Sequence, residues 1–116
     1  MATEESFMEF IAEQAADAGD ITTRRMFGSY CLYCDGKPVA FIGEDAVFVK
    51  PTDQGRVYIG DVTEGELFPG SKLWFVIEDR YEEREWFSAL IRITADALPA
   101  PKSRKKGPGK GRKYLI

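Results

Sequence analysis

The chain has 116 residues, 44% of them hydrophobic, with 16 basic and 19 acidic side chains for a formal net charge of −3; that is the length of one domain with material for a modest core. It has no histidine and no asparagine, which excludes a His-activated nucleophile, a His metal ligand, a His pH switch and N-glycosylation within one chain. Apolar runs stop at about five residues against the roughly 18 of a membrane span, the start Met1-Ala2-Thr3-Glu4-Glu5 lacks the pattern of a secretion signal, and two cysteines make no disulfide framework; the expectation is a reduced, soluble, cytoplasmic protein with no membrane partner.

The first predicted element is a helix over about Ser6 to Ala18. Phe7, Phe10, Ile11, Ala15 and Ala18 fall at i, i+3, i+4, i+8 and i+11 and form one apolar stripe. Thr3 or Ser6 is expected to cap its start, and Gly19 to end it as a left-handed residue.

From Arg24 to Lys50 the pattern is β. Arg24 to Phe27 reads as a short strand ending at Gly28, and Tyr30 to Cys34 as a second strand. Asp35-Gly36 follows as a type I′ hairpin turn, which needs positive φ at both central residues. Pro38 to Ile42 is the return strand, Gly43-Glu44-Asp45 a turn, and Ala46 to Lys50 the next strand. Between Pro51 and Lys72 the pattern predicts a short helix near Asp53 to Tyr58 with loops after it. The glycines at 55, 60, 65 and 70 recur every five residues, but the sequences between them differ, so no repeat is inferred. Leu73 to Ile77 reads as a buried strand from its continuous apolarity.

A second long helix is predicted over about Arg80 to Leu98. Asp79 and Glu82 resemble a capping box. Two adjacent rows, Trp86-Leu90-Ile93-Ala97 and Phe87-Ile91-Thr94-Leu98, make a wide apolar face, and Pro99 and Pro101 end the helix. Beyond Leu98 the charge changes character. Seven of the sixteen cations (Lys102, Arg104, Lys105, Lys106, Lys110, Arg112 and Lys113) and none of the acids lie there. Nine cations therefore face nineteen acids in residues 1–98, a body at −10 joined to a tail at +7. Two electrostatic objects hide inside the mean.

Candidate chemistry is sparse. Cys31-Leu32-Tyr33-Cys34 matches C-x-x-C, but residues three apart in a strand face opposite ways, and nothing in one chain completes a tetrahedral zinc site. Both cysteines are read as small apolar packing residues. Gly65 to Lys72 imitates a phosphate-binding loop, yet its Gly-Ser-Lys order is wrong and a strand follows where a helix must begin. The acidic groups Glu44-Asp45, Glu78-Asp79 and Glu82-Glu83-Glu85 are explained by a turn and a helix start. No catalytic residue, metal or cofactor is expected, and the chain is not read as an enzyme. Arg24-Arg25 is either an anion contact or a pair of salt bridges with the acidic body. The seven tail cations are the strongest functional signal: engaged on phosphates they would give a log–log salt slope of at most roughly −6. The same cations could instead fold back on the acidic body.

Arg24-Arg25-Met26-Phe27-Gly28-Ser29-Tyr30-Cys31-Leu32-Tyr33-Cys34-Asp35-Gly36 resembles the R-R-M-F-G-x-Y-x-L-Y-x-D-G signature of the N-terminal domain of the TfoX/Sxy family of bacterial competence regulators. The likeness continues through Ala40-Phe41-Ile42, Asp45, Val47 to Lys50, Trp74-Phe75-Val76 and the helix bearing Trp86, covering about residues 6 to 98. It implies a regulatory domain whose full-length relatives act as coactivators with the cyclic-AMP receptor protein and carry a second, C-terminal domain, where this chain has the basic tail. It transfers no catalytic residue; Arg24, Arg25, Met26, Phe27, Gly28 and Tyr30 are family-motif residues without an assigned role.

The sequence thus predicts one α+β domain over residues 1–98, an antiparallel meander of four to five strands flanked by an N-terminal and a C-terminal helix, then a Pro/Lys/Gly tail over 99–116. Strand residues are apolar on both faces, Val39 and Phe41 on one and Ala40 and Ile42 on the other, so a homodimer is expected to cover what two helices leave open. The leading function is regulation by contact with a protein of the transcription machinery, the tail assisting at nucleic acid. The alternative is a small-molecule or enzymatic site near residues 51–72.

Overall fold

The computed structural model describes residues 4–99. In chain order the elements are α1 (Glu5–Gln14), a 3-10 turn (Ala16–Ala18), β1 (Ile21–Met26), β2 (Ser29–Cys34), β3 (Lys37–Ile42), β4 (Val47–Val49), α2 (Asp53–Ile59), β5 (Thr63–Glu66), β6 (Leu73–Ile77), a second 3-10 turn (Arg80–Glu82) and α3 (Arg84–Ala97). The strands form one antiparallel sheet in the order β1-β2-β3-β4-β6-β5. The fold is α+β, as expected, with a helix from each end of the chain. The sheet has six strands, and it is a meander only through β4. The extra strand, β5, is Thr-Glu-Gly-Glu at an edge, with no apolar alternation by which to recognise it.

All three helices pack on one side of the sheet. Ile11 and Ala15 of α1 and Phe87, Leu90, Ile91 and Ala95 of α3 are buried against Leu32, Ile42, Val47, Val49 and Phe75. Burying each of the large side chains contributes about 1.5–3 kcal/mol, which is why these segments of 3 to 14 residues hold together at all. Phe10 departs from its expected stripe: it is exposed, and its ring meets Tyr81 edge-on at 6.3 Å.

The helix ends differ from the sequence expectation. α1 begins after Glu4 without a side-chain cap, Ser6 lies inside it, and Thr3 is outside the described residues. Gly19 ends the 3-10 turn at φ 154° and ψ −150°, a positive-φ conformation that favours glycine but is not the left-handed helical one. The Asp79–Glu82 capping box does not form. Asp79 opens a 3-10 turn, and α3 starts only after the extended Glu83. The cause lies in tertiary packing. The side-chain amide of buried Gln14 donates to the Tyr81 and Glu82 carbonyls at 3.0 and 3.1 Å, taking acceptors a continuous helix would use, while Tyr81 packs edge-on against Phe7 at 5.4 Å.

Asp35-Gly36 forms the expected I′ turn, with φ 55° and 82°. It is tied down on several sides. The Asp20 N–H donates to Asp35 Oδ1 at 2.9 Å, and Arg92 donates to Asp35 Oδ2 at 2.9 Å, to the Ala18 carbonyl at 2.7 Å and to Asp96 at 2.7 Å. The Asp20 N–H and the Arg92 guanidinium hold the Asp35 carboxyl below its ordinary pKa. Beside the same turn, Lys37 Nζ donates to the Ala95 and Leu98 carbonyls at 2.8 and 3.1 Å, closing the C-terminus of α3. The expected alternation of β3 is corrected by a bulge: Leu32 pairs with Ala40 and Tyr33 with Pro38, so Val39 is skipped. Val39 joins Ala40 and Ile42 in the core, while Phe41 lies on the opposite side. β6, expected to be buried throughout, is buried only at Phe75 and Ile77, because its other face carries no helix.

Candidate functional site on the open face of the sheet

Two-residue alternation sends Tyr30, Leu32 and Cys34 of β2 toward the helices. The other set faces away. Cys31 pairs with Phe41, Phe41 with Phe48, and Phe48 with Val76 across four adjacent strands. The Trp74 ring lies 5.9 Å from that of Phe41. None of these side chains belongs to the helix-covered core. The result is an aromatic stripe across a sheet face that no described helix covers.

The charge of this face is unlike the rest of the body. The only carboxylates within the strands are Glu64 and Glu66. They pair in register with Phe75 and Leu73 and so point to the helix side, where Glu64 meets Arg56 of α2 at 2.6 Å. The outward strand positions carry no acid, and their single cation is Arg24.

At one end the face deepens into a cleft of about 680 Å³, lined by Met26, Phe27, Ser29, Phe41, Leu67, Phe68 and Trp74. Two turns build it. The β5–β6 connection is folded around Ser71, whose Oγ accepts the Leu67 and Phe68 N–H groups at 2.9 and 3.4 Å, leaving Phe68 61% exposed. This is what the Gly70-Ser71 pair does, in place of any phosphate loop. The β1–β2 connection is Phe27-Gly28, a second I′ turn with φ 54° and 78°. The sequence reading ended a strand at Gly28; β1 in fact runs from Ile21 and stops one residue before Phe27. Phe27 is 93% exposed. An L residue in that left-handed conformation costs about 1–2 kcal/mol, and the exposed Phe27 ring gains no burial in return.

The motif residues separate by face. Met26 and Phe27 line the cleft, and Gly28 supplies its turn. Arg24 points outward beside the Tyr33 hydroxyl. Arg25 donates to the Tyr30 hydroxyl at 2.9 Å with its guanidinium 5.1 Å from that ring. Among the described residues neither arginine forms an ion pair with a carboxylate. Cys34 lies in the core, its Sγ 3.8 Å from the Ala18 carbonyl, and Cys31 lies beneath the open face; burial pushes both thiols up. Among the described residues no group of three or more His, Cys, Asp or Glu is placed to hold a metal ion, and no helix is long and apolar enough to cross a membrane. The tail cations Lys102, Arg104, Lys105, Lys106, Lys110, Arg112 and Lys113 lie outside the described residues.

Sequence reasoning missed the cleft. Its signal was present in the second set of strand positions, where Phe41, Phe48 and Trp74 recur opposite the core set. Leu67 and Phe68, inside the segment 51–72 suggested as an alternative site, do line the cleft. The lining has no titratable side chain.

The model of the TfoX N-terminal domain matches residues 13–98. The chain belongs to this family. A relative in Spirochaeta aurantia, described as an uncharacterized 12.7 kDa protein in the trpE 5' region, is 43% identical over 112 residues, spanning 94% of this chain and 97% of that protein. The unaligned share is shorter than the segment after Leu98, so that alignment runs into the basic tail.

Proposed function

We propose that this TfoX N-terminal domain is a non-enzymatic regulatory module that acts by protein–protein contact through the open face of its sheet. One observation carries the reading: on a body at −10, the outward strand positions are free of acid, aromatic, and hollowed at the tip where the family motif lies. A catalytic or small-molecule site fixes its ligand with convergent polar groups, and the side chains lining the cleft supply just the Ser29 hydroxyl and the Trp74 indole N–H. The family favours transcription, and competence within it, as the process regulated. The test is affinity capture with the full chain and with Phe41→Glu, which places an acid in the middle of the face. Capture of the same partner by both proteins would sink this reading; loss on substitution, with unchanged circular dichroism, supports it.

A second contact rests on the tail. Its seven cations, in a segment that the Spirochaeta alignment enters, favour nucleic acid held by its backbone with weak sequence preference. A DNA titration at two salt concentrations compares the chain with one whose seven tail cations are glutamine. Equal binding by both would remove the tail from the account.

A further inference from the structure

We propose that a second copy of this chain covers the open face, in a two-fold, sheet-on-sheet dimer centred on Phe41 and Phe48. The inference rests on the reading of that face as a contact surface and names its occupant. Charge selects a copy of the same chain. Nineteen acids against nine cations make two bodies repel wherever carboxylates meet. The carboxylates lie on the helices, in the loops and on the helix side of β5, and the outward strand positions have none. It is therefore the one face of the sheet on which like can stack on like without setting carboxylate against carboxylate, its one strand cation, Arg24, lying on edge strand β1.

Position and area agree. Phe41 of β3 and Phe48 of β4 are paired in register at the middle of the order β1-β2-β3-β4-β6-β5, where a two-fold axis would bring each residue close to its own copy. Strands about 4.8 Å apart and roughly 17 Å long give six of them a face of roughly 500 Å² in plan. With the relief of Trp74, Phe68 and Phe27 added, that is of the order of the roughly 800 Å² per partner that a specific interface uses. Antiparallel sheets stacked about 10 Å apart interdigitate side chains of this kind.

The experiment is sedimentation of the full chain up to about 100 µM, in low salt and in about 0.5 M NaCl, where screening falls to roughly 5 Å. The expected result is a dimer in both, since an apolar contact survives salt. Phe41→Glu should sediment as a folded monomer, with association weakened about 100-fold or more by the facing charges. An equimolar mixture of Phe41→Glu and Phe41→Lys should recover the dimer, a result that misfolding cannot produce. A wild-type monomer, a dimer lost in 0.5 M NaCl, or a Phe41→Glu variant still dimeric would each overturn the proposal. A wild-type monomer whose captured partner is lost on Phe41→Glu overturns the dimer and leaves the contact reading standing. A monomer whose partner is kept overturns both.

Discussion

Strand β2 runs between two turns of one backbone geometry and opposite chemistry. At one end Asp35-Gly36 has the residues a I′ turn prefers, and its carboxylate is held by Arg92 and the Asp20 N–H. At the other, Phe27-Gly28 puts a phenylalanine in the left-handed conformation, 93% exposed and beside an open cleft. Local preference and tertiary bonding agree at the first turn and conflict at the second. Where they agree the turn serves stability. Where they conflict, Phe27 carries a local cost that burial in the monomer does not offset, at the rim of the open cleft.

The largest way to break this contrast is at the anchored end. Arg92→Ala removes the donor shared by Asp35, Ala18 and Asp96. With its side chain over a third exposed, the expected loss is about 1–2 kcal/mol, read as a lower urea midpoint at unchanged slope. The opposite sign is expected at the other end. Phe27→Asn gives that turn the chemistry of its counterpart, and the monomer fold should gain about 1 kcal/mol while self-association weakens. Thermal melts at low protein concentration and sedimentation at high concentration separate the two effects. No gain in the melt would mean that Phe27 is not strained.

A smaller, pH-dependent effect sharpens the comparison. The Asp35 pKa is depressed in the fold, so its stabilisation is present above the unfolded carboxylate pKa and lost as pH falls through the folded one. Between neutral pH and about pH 3 the wild type should lose more stability than Asp35→Asn. Parallel acid titrations of the two proteins would refute the anchoring role. The Phe27 turn has no titratable side chain and should show no such dependence.

What was legible in the sequence follows the same division. The Asp-Gly turn, the strands on either side of it and the apolar rows of α3 were readable because local propensity and burial point the same way there. β5 was not, since Thr63 to Glu66 is a strand only because β6 lies beside it. The break at Glu83 was not, because it depends on Gln14, 69 residues earlier in the chain. Phe27-Gly28 looks like a strand end in the sequence because phenylalanine is a poor I′ residue. The aromatic residues of the open face were counted as strand formers, and only the register shows that Phe41, Phe48 and Trp74 share a side. Nothing local announces a bulge at Val39, and that bulge turns Val39 into the core while Phe41 stays on the open face.

The Lys37 clasp on the end of α3 has a mechanical meaning. Its ammonium holds the Ala95 and Leu98 carbonyls from the neighbouring hairpin, so residue 99 leaves the fold from a fixed post. Tension applied through the chain beyond it is shared with β3, in the middle of the sheet, before the helix can unwind.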